Sequence, residues 1–257
     1  MIIEFYKYQG TGNDFIIIDD RKKKINIGDS QLIAALCERK MGIGADGLIL
    51  LRNHNKYDFE MIYFNSDGSQ SSMCGNGGRC IVAFAEMLDL IKNETIFIAI
   101  DGEHKAKITN EGVHLQMKDV IQIKQIDTGI FLNTGSPHYI KMVDDLKSLD
   151  VNKEGRRIRN SSFFKKEGVN VNFVLDATDL EIRTYERGVE AETLSCGTGV
   201  VATAIAMHYA NYIEEHAVDV KTRGGVLSVV FEEFNGIYRK IWLSGEERLV
   251  YAGEFEC

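Results

Sequence analysis

Two cysteines in this chain sit in settings that activate a thiol. Cys196 lies in Thr193-Leu194-Ser195-Cys196-Gly197-Thr198-Gly199, directly ahead of an apolar segment at 200–207. Cys74 lies in Ser72-Met73-Cys74-Gly75-Asn76-Gly77-Gly78-Arg79-Cys80, which also leads into a helical pattern. A cysteine followed by Gly-x-Gly and then by helix formers predicts a thiol at a helix N-terminus. Backbone N–H groups there lack intrahelical partners, and the macrodipole adds partial positive charge. Both favour thiolate, and such settings bring a cysteine pKa from ~8.5 to ~3.5–7.5.

Two such thiols can do chemistry with no metal and no cofactor. A thiolate takes a proton from a carbon while a thiol delivers one to the opposite face, which inverts the centre. The pair must begin in unlike states and exchange them in each turnover. The glycines let backbone N–H groups close on a substrate carboxylate, and two helix N-termini favour the enolate-like charge that develops. A free cysteine is otherwise a small buried hydrophobe. That reading suits Cys37 on an apolar helix face, terminal Cys257, and Cys80, whose counterpart is Ala202. It suits the duplicated Gly-rich pair poorly.

Other chemistries fit less well. Cys74 and Cys80 lack short zinc spacing and the six histidines are scattered, so no metal site is expected. Gly42-Ile43-Gly44-Ala45-Asp46-Gly47 matches a dinucleotide fingerprint by letter, yet it follows a helix and opens a strand, the reverse of the required order. Pro137, the single proline, reads either as an ordinary turn residue or as a fixed turn aiming His138 at a thiol. Glu186-Arg187 reads either as a surface ion pair or, near a thiol cleft, as an Arg187 that binds a carboxylate bidentately and a Glu186 that tunes a thiol.

The elements that must position these groups come in two similar sets. Strands are expected at 2–8 and 15–19, with Gly10-Thr11-Gly12-Asn13-Asp14 as the turn. Ser30 is expected to cap a helix carrying Leu32, Ile33, Leu36 and Cys37, with Gly42 ending it. Strands follow at 47–51 and 57–64, then a helix with Ile81, Phe84, Ala85 and Leu88 on one face, then strands at 95–100, 104–109 and 113–117. The order then repeats. Residues 135–145 align with 10–20, 168–175 with 44–51, Tyr185 with Tyr63, and Cys196-Gly197-x-Gly199 with Cys74-Gly75-x-Gly77. This reads as a tandem duplication of an α+β unit, divided near Lys118–Asp119. A period this long means two paired domains, since stacking repeats run to roughly 20–50 residues. The 200–207 segment is apolar all round and should lie inside a wrap of strands, with the first unit's helix matching it.

Composition agrees with a soluble globular protein. The chain has 257 residues, is 44% hydrophobic and 26% charged, and carries a net charge of −8, which argues against nucleic acid or an anionic membrane as partner. No apolar run is long enough to span a bilayer. The N-terminus alternates like a strand and lacks a signal-peptide layout. Five cysteines do not make a disulfide framework, so a cytoplasmic, reducing setting is expected.

Taken together, Gly10-Thr11-Gly12-Asn13-Asp14-Phe15, Met73-Cys74-Gly75-Asn76-Gly77, Pro137-His138, Asn170-Val171, Tyr185-Glu186-Arg187-Gly188 and Glu192-Thr193-x-x-Cys196-Gly197-Thr198-Gly199 closely resemble the diaminopimelate epimerase family, from end to end. The resemblance implies a cofactor-independent epimerase interconverting LL- and meso-diaminopimelate, on the route to lysine and cell-wall precursors. It implies an α+β fold of two pseudo-symmetric lobes, each a barrel-like, mostly antiparallel sheet around a central helix. The lobes would span 1–118 and 119–257, with a last strand at about 249–257 returning to the first. By the same resemblance Cys74 and Cys196 are the acid–base pair, and His138 and Glu186 modulate their pKa values. Asn13, Asn65, Gly75, Asn76, Ser136, Asn170, Glu186, Arg187, Gly197 and Thr198 would contact substrate, and the protein would form a homodimer. Two positions depart from the family pattern: Gly47 stands where a substrate-contacting glutamine is frequent, and Ser136 where asparagine is usual. Proline or hydroxyproline racemases tend to carry His after the first Cys-Gly and Ser-Pro before the second cysteine, where this chain has Asn76 and Leu194-Ser195. A redox sensor forming a reversible disulfide is the reading from another class.

Overall fold

In the computed structural model, which describes residues 2–175 and 179–256, the chain divides into two compact units, Met1–Leu115 with Glu246–Cys257, and Gln116–Gly245. Cys257 lies outside the described residues. Among the described residues no helix is long and apolar enough to cross a membrane.

The first unit opens with a hairpin of β1 (Ile2–Gly10) and β2 (Asn13–Asp19). Its turn is only Thr11 and Gly12, both at positive φ (51° and 83°), so Asn13 and Asp14 already belong to the strand. A helix, α1 (Ser30–Cys37), then leads to β3 (Gly47–Arg52), which runs parallel to β2 with Phe15 opposite Gly47. Asp29, not Ser30, caps α1, because its carboxylate accepts from the Leu32 N–H at 3.0 Å. Gly42 does not end α1 either. The helix stops at Cys37 where Glu38 turns extended (φ −66°, ψ 126°), and Gly42 lies in the following turn against the Ala35 carbonyl. Antiparallel to β3 runs β4 (Glu60–Asn65), which begins later than residue 57; ahead of it the Asp58 carboxylate accepts from Thr95 Oγ1 and the Ile96 N–H.

A short β5 (Gln70–Ser71) precedes α2 (Gly75–Met87), and β6 (Glu94–Ala99), β7 (Gly102–Thr109) and β8 (Gly112–Gln116) follow as an antiparallel meander. The second unit repeats the plan. It has β9 (Ile123–Ile126), β10 (Gly129–Asn133), β11 (Pro137–Val143), α3 (Val151–Arg159), β12 (Asn170–Leu175), β13 (Leu180–Glu186), β14 (Ala191–Thr193), α4 (Gly197–Tyr209), β15 (Ala217–Thr222), β16 (Gly225–Phe234) and β17 (Ile237–Gly245). Here β11 and β12 are the parallel pair, as β2 and β3 are in the first unit. The last strand, β18 (Glu247–Glu256), pairs antiparallel with β1, Ile3 opposite Phe255.

Each unit wraps strands around one helix. In the first, α2 packs on β1, β2, β3, β7 and β18; in the second, α4 packs on β10, β11, β12, β15, β16 and β17. The all-round apolar sequence of α4 suits that place, since Val200, Val201, Ile205 and Met207 are fully buried. Each such side chain stabilises the unit by ~1.5–3 kcal/mol. Outside the strands, α1 and α3 cover the opposite face, over Ile16, Ile18, Leu48 and Leu50 in one unit and Tyr139, Val171, Phe173 and Tyr185 in the other.

The faces correct the strand equivalences read from letters: Phe15 corresponds to His138 and Ile49 to Asn172, two residues and one residue away from the alignments of 10–20 with 135–145 and of 44–51 with 168–175. Gly77 of α2 abuts Phe15 and Ile49, while Gly199 of α4 abuts His138 and Asn172, so these strand residues correspond. Tyr63 is opposite Ile49 and its ring lies 6.0 Å from Phe15, on the α2 face. Tyr185 is opposite Val171 and packs under α3. Thr184, opposite Asn172, therefore holds the place of Tyr63. Matching the two tyrosines slips the register by one residue, which in a strand exchanges its faces.

Candidate active site

Both motif cysteines occupy helix N-cap positions. Cys74 (φ −95°, ψ 135°) precedes α2 and Cys196 (φ −131°, ψ 107°) precedes α4, each in extended backbone. Each helix closes its first turn on the cysteine carbonyl, by Gly78 N–H at 2.7 Å and Val200 N–H at 2.9 Å. The intervening amides, Gly75–Asn76–Gly77 and Gly197–Thr198–Gly199, are those an α-helix leaves without intrahelical acceptors. The helix dipole lowers the cost of a thiolate at both caps.

In the first unit, Cys74 Sγ lies 3.6 Å from Asn13 Oδ1, and Asn76 Nδ2 donates to the same oxygen at 3.4 Å. Behind them Arg79, one turn along α2 and fully buried, donates through Nη2 to Thr11 Oγ1 (2.8 Å) and Asn76 Oδ1 (3.2 Å), and through Nη1 to the Gly75 carbonyl (3.3 Å). Glu247 on β18 is a partly buried acidic group of this region. Burial pushes its carboxyl up to about 7, against the opposing pull of the Val113 N–H and the Arg79 charge. Asn65, at the end of β4 opposite Gly47, turns its amide to Ser69 Oγ at 3.2 Å.

In the second unit, Cys196 Sγ lies 3.5 Å from Thr198 Oγ1, which in turn lies 2.9 Å from His138 Nε2. The far ring nitrogen, Nδ1, meets Asn172 Nδ2 at 2.9 Å, and Thr184 Oγ1 donates to Asn172 Oδ1 at 2.9 Å. His138 is wholly buried; burial first, and the Arg187 charge second, push its imidazole down to about 3. It is therefore neutral at physiological pH and reaches the thiol by hydrogen bonding rather than by charge. A hydroxyl between sulfur and imidazole can donate to a thiolate or accept from a thiol, which suits a group that alternates between the two.

Asn170, beside His138 across β11 and β12, donates to Ser136 Oγ at 2.8 Å and accepts from the Arg187 N–H at 2.8 Å. That bond fixes the turn after β13, where Arg187 stands exposed with Nη1 on the Glu167 carbonyl and Glu186 half-buried beside it. Thr134 Oγ1 ties the β10–β11 turn to the Thr198 carbonyl at 2.9 Å. The first unit thus gathers Asn13, Gly75 and Asn76 around Cys74, and the second gathers His138, Ser136, Asn170, Arg187, Gly197 and Thr198 around Cys196. Asn65 contacts neither thiol's hydrogen-bond set. Asn172, Thr184 and Arg79 belong to these sets but do not follow from motif letters. Their signal is polarity where the pattern demands apolar residues: Asn170-Val171-Asn172 alternates asparagine on one face of a buried strand, and Arg79 sits in a buried helix.

The chain is similar to known proteins along nearly its whole length. Residues 5–123 and 130–240 match the family described as Diaminopimelate epimerase. The chain is 52% identical over 252 residues to the Diaminopimelate epimerase of Flavobacterium psychrophilum, covering 97% of this chain and 98% of that one. It is 38% identical over 273 residues to that of Aquifex aeolicus, covering 98% and 97%. Among solved structures, a phenazine biosynthesis protein of the PhzF family from Bacillus anthracis superposes with a TM-score of 0.81 at 12% identity over the whole of both chains. A hydroxyproline epimerase from Agrobacterium vitis gives 0.67, also at 12%, over 98% of this chain and 92% of that one. At such identities the likeness is one of fold.

Proposed function

The chain belongs to the diaminopimelate epimerase family, and from that premise we propose that Cys74 and Cys196 are the two bases of a cofactor-independent epimerisation of LL- to meso-2,6-diaminopimelate. The enzyme is an epimerase of diaminopimelate. One cysteine, as thiolate, removes the α-proton; the other, as thiol, gives its proton to the opposite face of the same carbon. Atoms balance with the two sulfurs exchanging protonation states, and the reverse turnover restores them. The observation that carries the reading is the duplicated N-cap cysteine, each followed by Gly-x-Gly on a buried helix.

In this reading the helix-start amides of Gly75–Asn76 and Gly197–Thr198 hold the substrate carboxylate, and their preorganised N–H groups stabilise the charge that grows on it as the α-proton leaves. Arg187, exposed beside Asn170, supplies a carboxylate partner, with Asn13, Asn65, Ser136 and Asn170 completing the substrate contacts and Glu186 acting with the thiols. His138 acts on Cys196 through Thr198 while remaining neutral. The reaction serves lysine and cell-wall precursor synthesis in the cytoplasm, and the active form is a homodimer. Cys74→Ala and Cys196→Ala should each lose epimerisation by a factor of about 10²–10⁴, as removal of a general acid or base does, while far-UV circular dichroism stays native. Wild-type-like turnover in either variant would rule out the two-thiol mechanism.

A further inference from the structure

We propose that Asp46 is a positioning residue for Cys74: it fixes the Asn13 amide so that the oxygen, and not the NH₂ group, faces the thiol. This rests on Cys74 being an acid–base group, and it assigns a role to a residue outside the proposed catalytic and substrate-binding set. Asn13 opens β2 and Asp46 immediately precedes β3, so the parallel pairing of Phe15 with Gly47 brings the two together. Asn13 Nδ2 donates to Asp46 Oδ2 at 2.7 Å. A carboxylate can only accept, so this bond dictates which end of the amide points at it. The other end, Oδ1, is left at Cys74 Sγ and Asn76 Nδ2.

The second amide of the chain is pinned with the same polarity. Arg79 Nη2 donates to Asn76 Oδ1, and a guanidinium can only donate, so Asn76 must present its NH₂ group to Asn13. A fixed anion and a fixed cation thus close the two ends of one chain: Arg79 to Asn76 to Asn13 to Asp46, with the thiol on the central oxygen. Asp46 is itself held. Arg39 Nη2 bridges Asp46 Oδ1 and Asp14 Oδ1, both at 2.7 Å, Lys7 Nζ pairs with Asp14 at 2.8 Å, and the Asp46 N–H donates to the Asp14 carbonyl at 3.0 Å. An acceptor facing the sulfur favours S–H over S⁻. Asp46 therefore opposes the helix N-terminus and keeps Cys74 from resting wholly as thiolate, which an acid–base group that must also act as an acid requires.

Charged and titratable groups reach this region from several elements: Arg79 and Cys80 on α2, Glu247 on β18, Asp14 and Lys7 on the first hairpin, Asp46 and Arg39 before β3, and Asp101 with His104, the former accepting from the Met73 N–H at 3.2 Å. Removing the Asp46 charge would lower a nearby thiol pKa without any amide rotating, so the test must separate the two effects. The probe is iodoacetamide on the full-length Cys196→Ser protein, following modification of the Cys74 peptide by mass spectrometry from pH 5 to 10; this needs no epimerase activity. Asp46→Asn should move the alkylation midpoint down by about half to one pH unit, and Asp46→Glu should restore it. In an Asn13→Ala background, Asp46→Asn should shift the midpoint less than half as far, by the charge effect alone. An equal shift in both backgrounds, or no shift in either, would overturn the proposal; it would leave the two-thiol reading untouched, since that is judged by turnover.

Discussion

Gly47 offers a quantitative check on the packing around the first thiol. The family resemblance places a substrate-contacting glutamine there, and on that basis Gly47→Gln would be expected to leave the chemistry intact and at most alter KM. The structure predicts a different outcome. A β-carbon on Gly47 would lie 2.5 Å from Tyr63 Cε2, 2.6 Å from the Phe64 carbonyl oxygen and 3.0 Å from Tyr63 Oη. The carbonyl belongs to the paired strand β4 and cannot swing aside, while the ring can move only by giving up its edge contact with Phe15. Overpacking of this kind costs ~1–3 kcal/mol. Gly47→Ala should therefore lower the unfolding free energy by about that amount, and Gly47→Gln by at least as much. Tyr63→Ala removes two of the three close contacts, so the double variant should be more stable than the two single losses added together, by about 0.5–2 kcal/mol. Urea unfolding followed by circular dichroism on the four proteins measures this. A Gly47→Ala protein within ~0.5 kcal/mol of the parent, or strict additivity in the cycle, would refute the reasoning.

Two further predictions concern the second thiol. His138 has a folded pKa pushed down to about 3 against ~6.5 unfolded, so its contribution to stability is present above pH ~6.5 and is lost progressively as the pH falls through the window toward 3. Urea unfolding at pH 7 and pH 5 should show the parent losing about 2 kcal/mol more than His138→Gln over that interval; equal losses would mean that His138 is not buried neutral. Gly199→Ala would set a methyl group against Asn172 Oδ1 and His138 Cε1, so it should reduce kcat while leaving the Cys74 alkylation profile unchanged; unchanged turnover would remove the His138–Thr198 link from the account.

Much of this was legible in the sequence because it rests on glycines and cysteines, whose places are set by backbone geometry. The N-cap cysteines, the buried α4 and the doubled α+β unit follow from the Cys-Gly-x-Gly spacing and from an apolar segment with no polar face. Registers were harder. Aligning Tyr63 with Tyr185 matches letters across strands whose connecting turns differ in length, and the side-chain period of two turns that single slip into the wrong face. Asp29 and Ser30 are both capping residue types, and only the bond to the Leu32 N–H distinguishes them. The hydrogen-bond partners behind the thiols were hidden for a related reason. Asp46 reads as part of an accidental dinucleotide fingerprint, and Arg79 and Asn172 are polar residues within largely apolar elements. Their meaning depends on contacts far apart along the chain.

The central claim is that this chain inverts the α-carbon of diaminopimelate by exchanging protons at two thiols. The reduced protein should be incubated with LL-diaminopimelate in D₂O and the α-proton followed by NMR. The account predicts that the α-proton signal decays while the meso isomer appears. Absence of both, or exchange confined to proline or hydroxyproline, would contradict it.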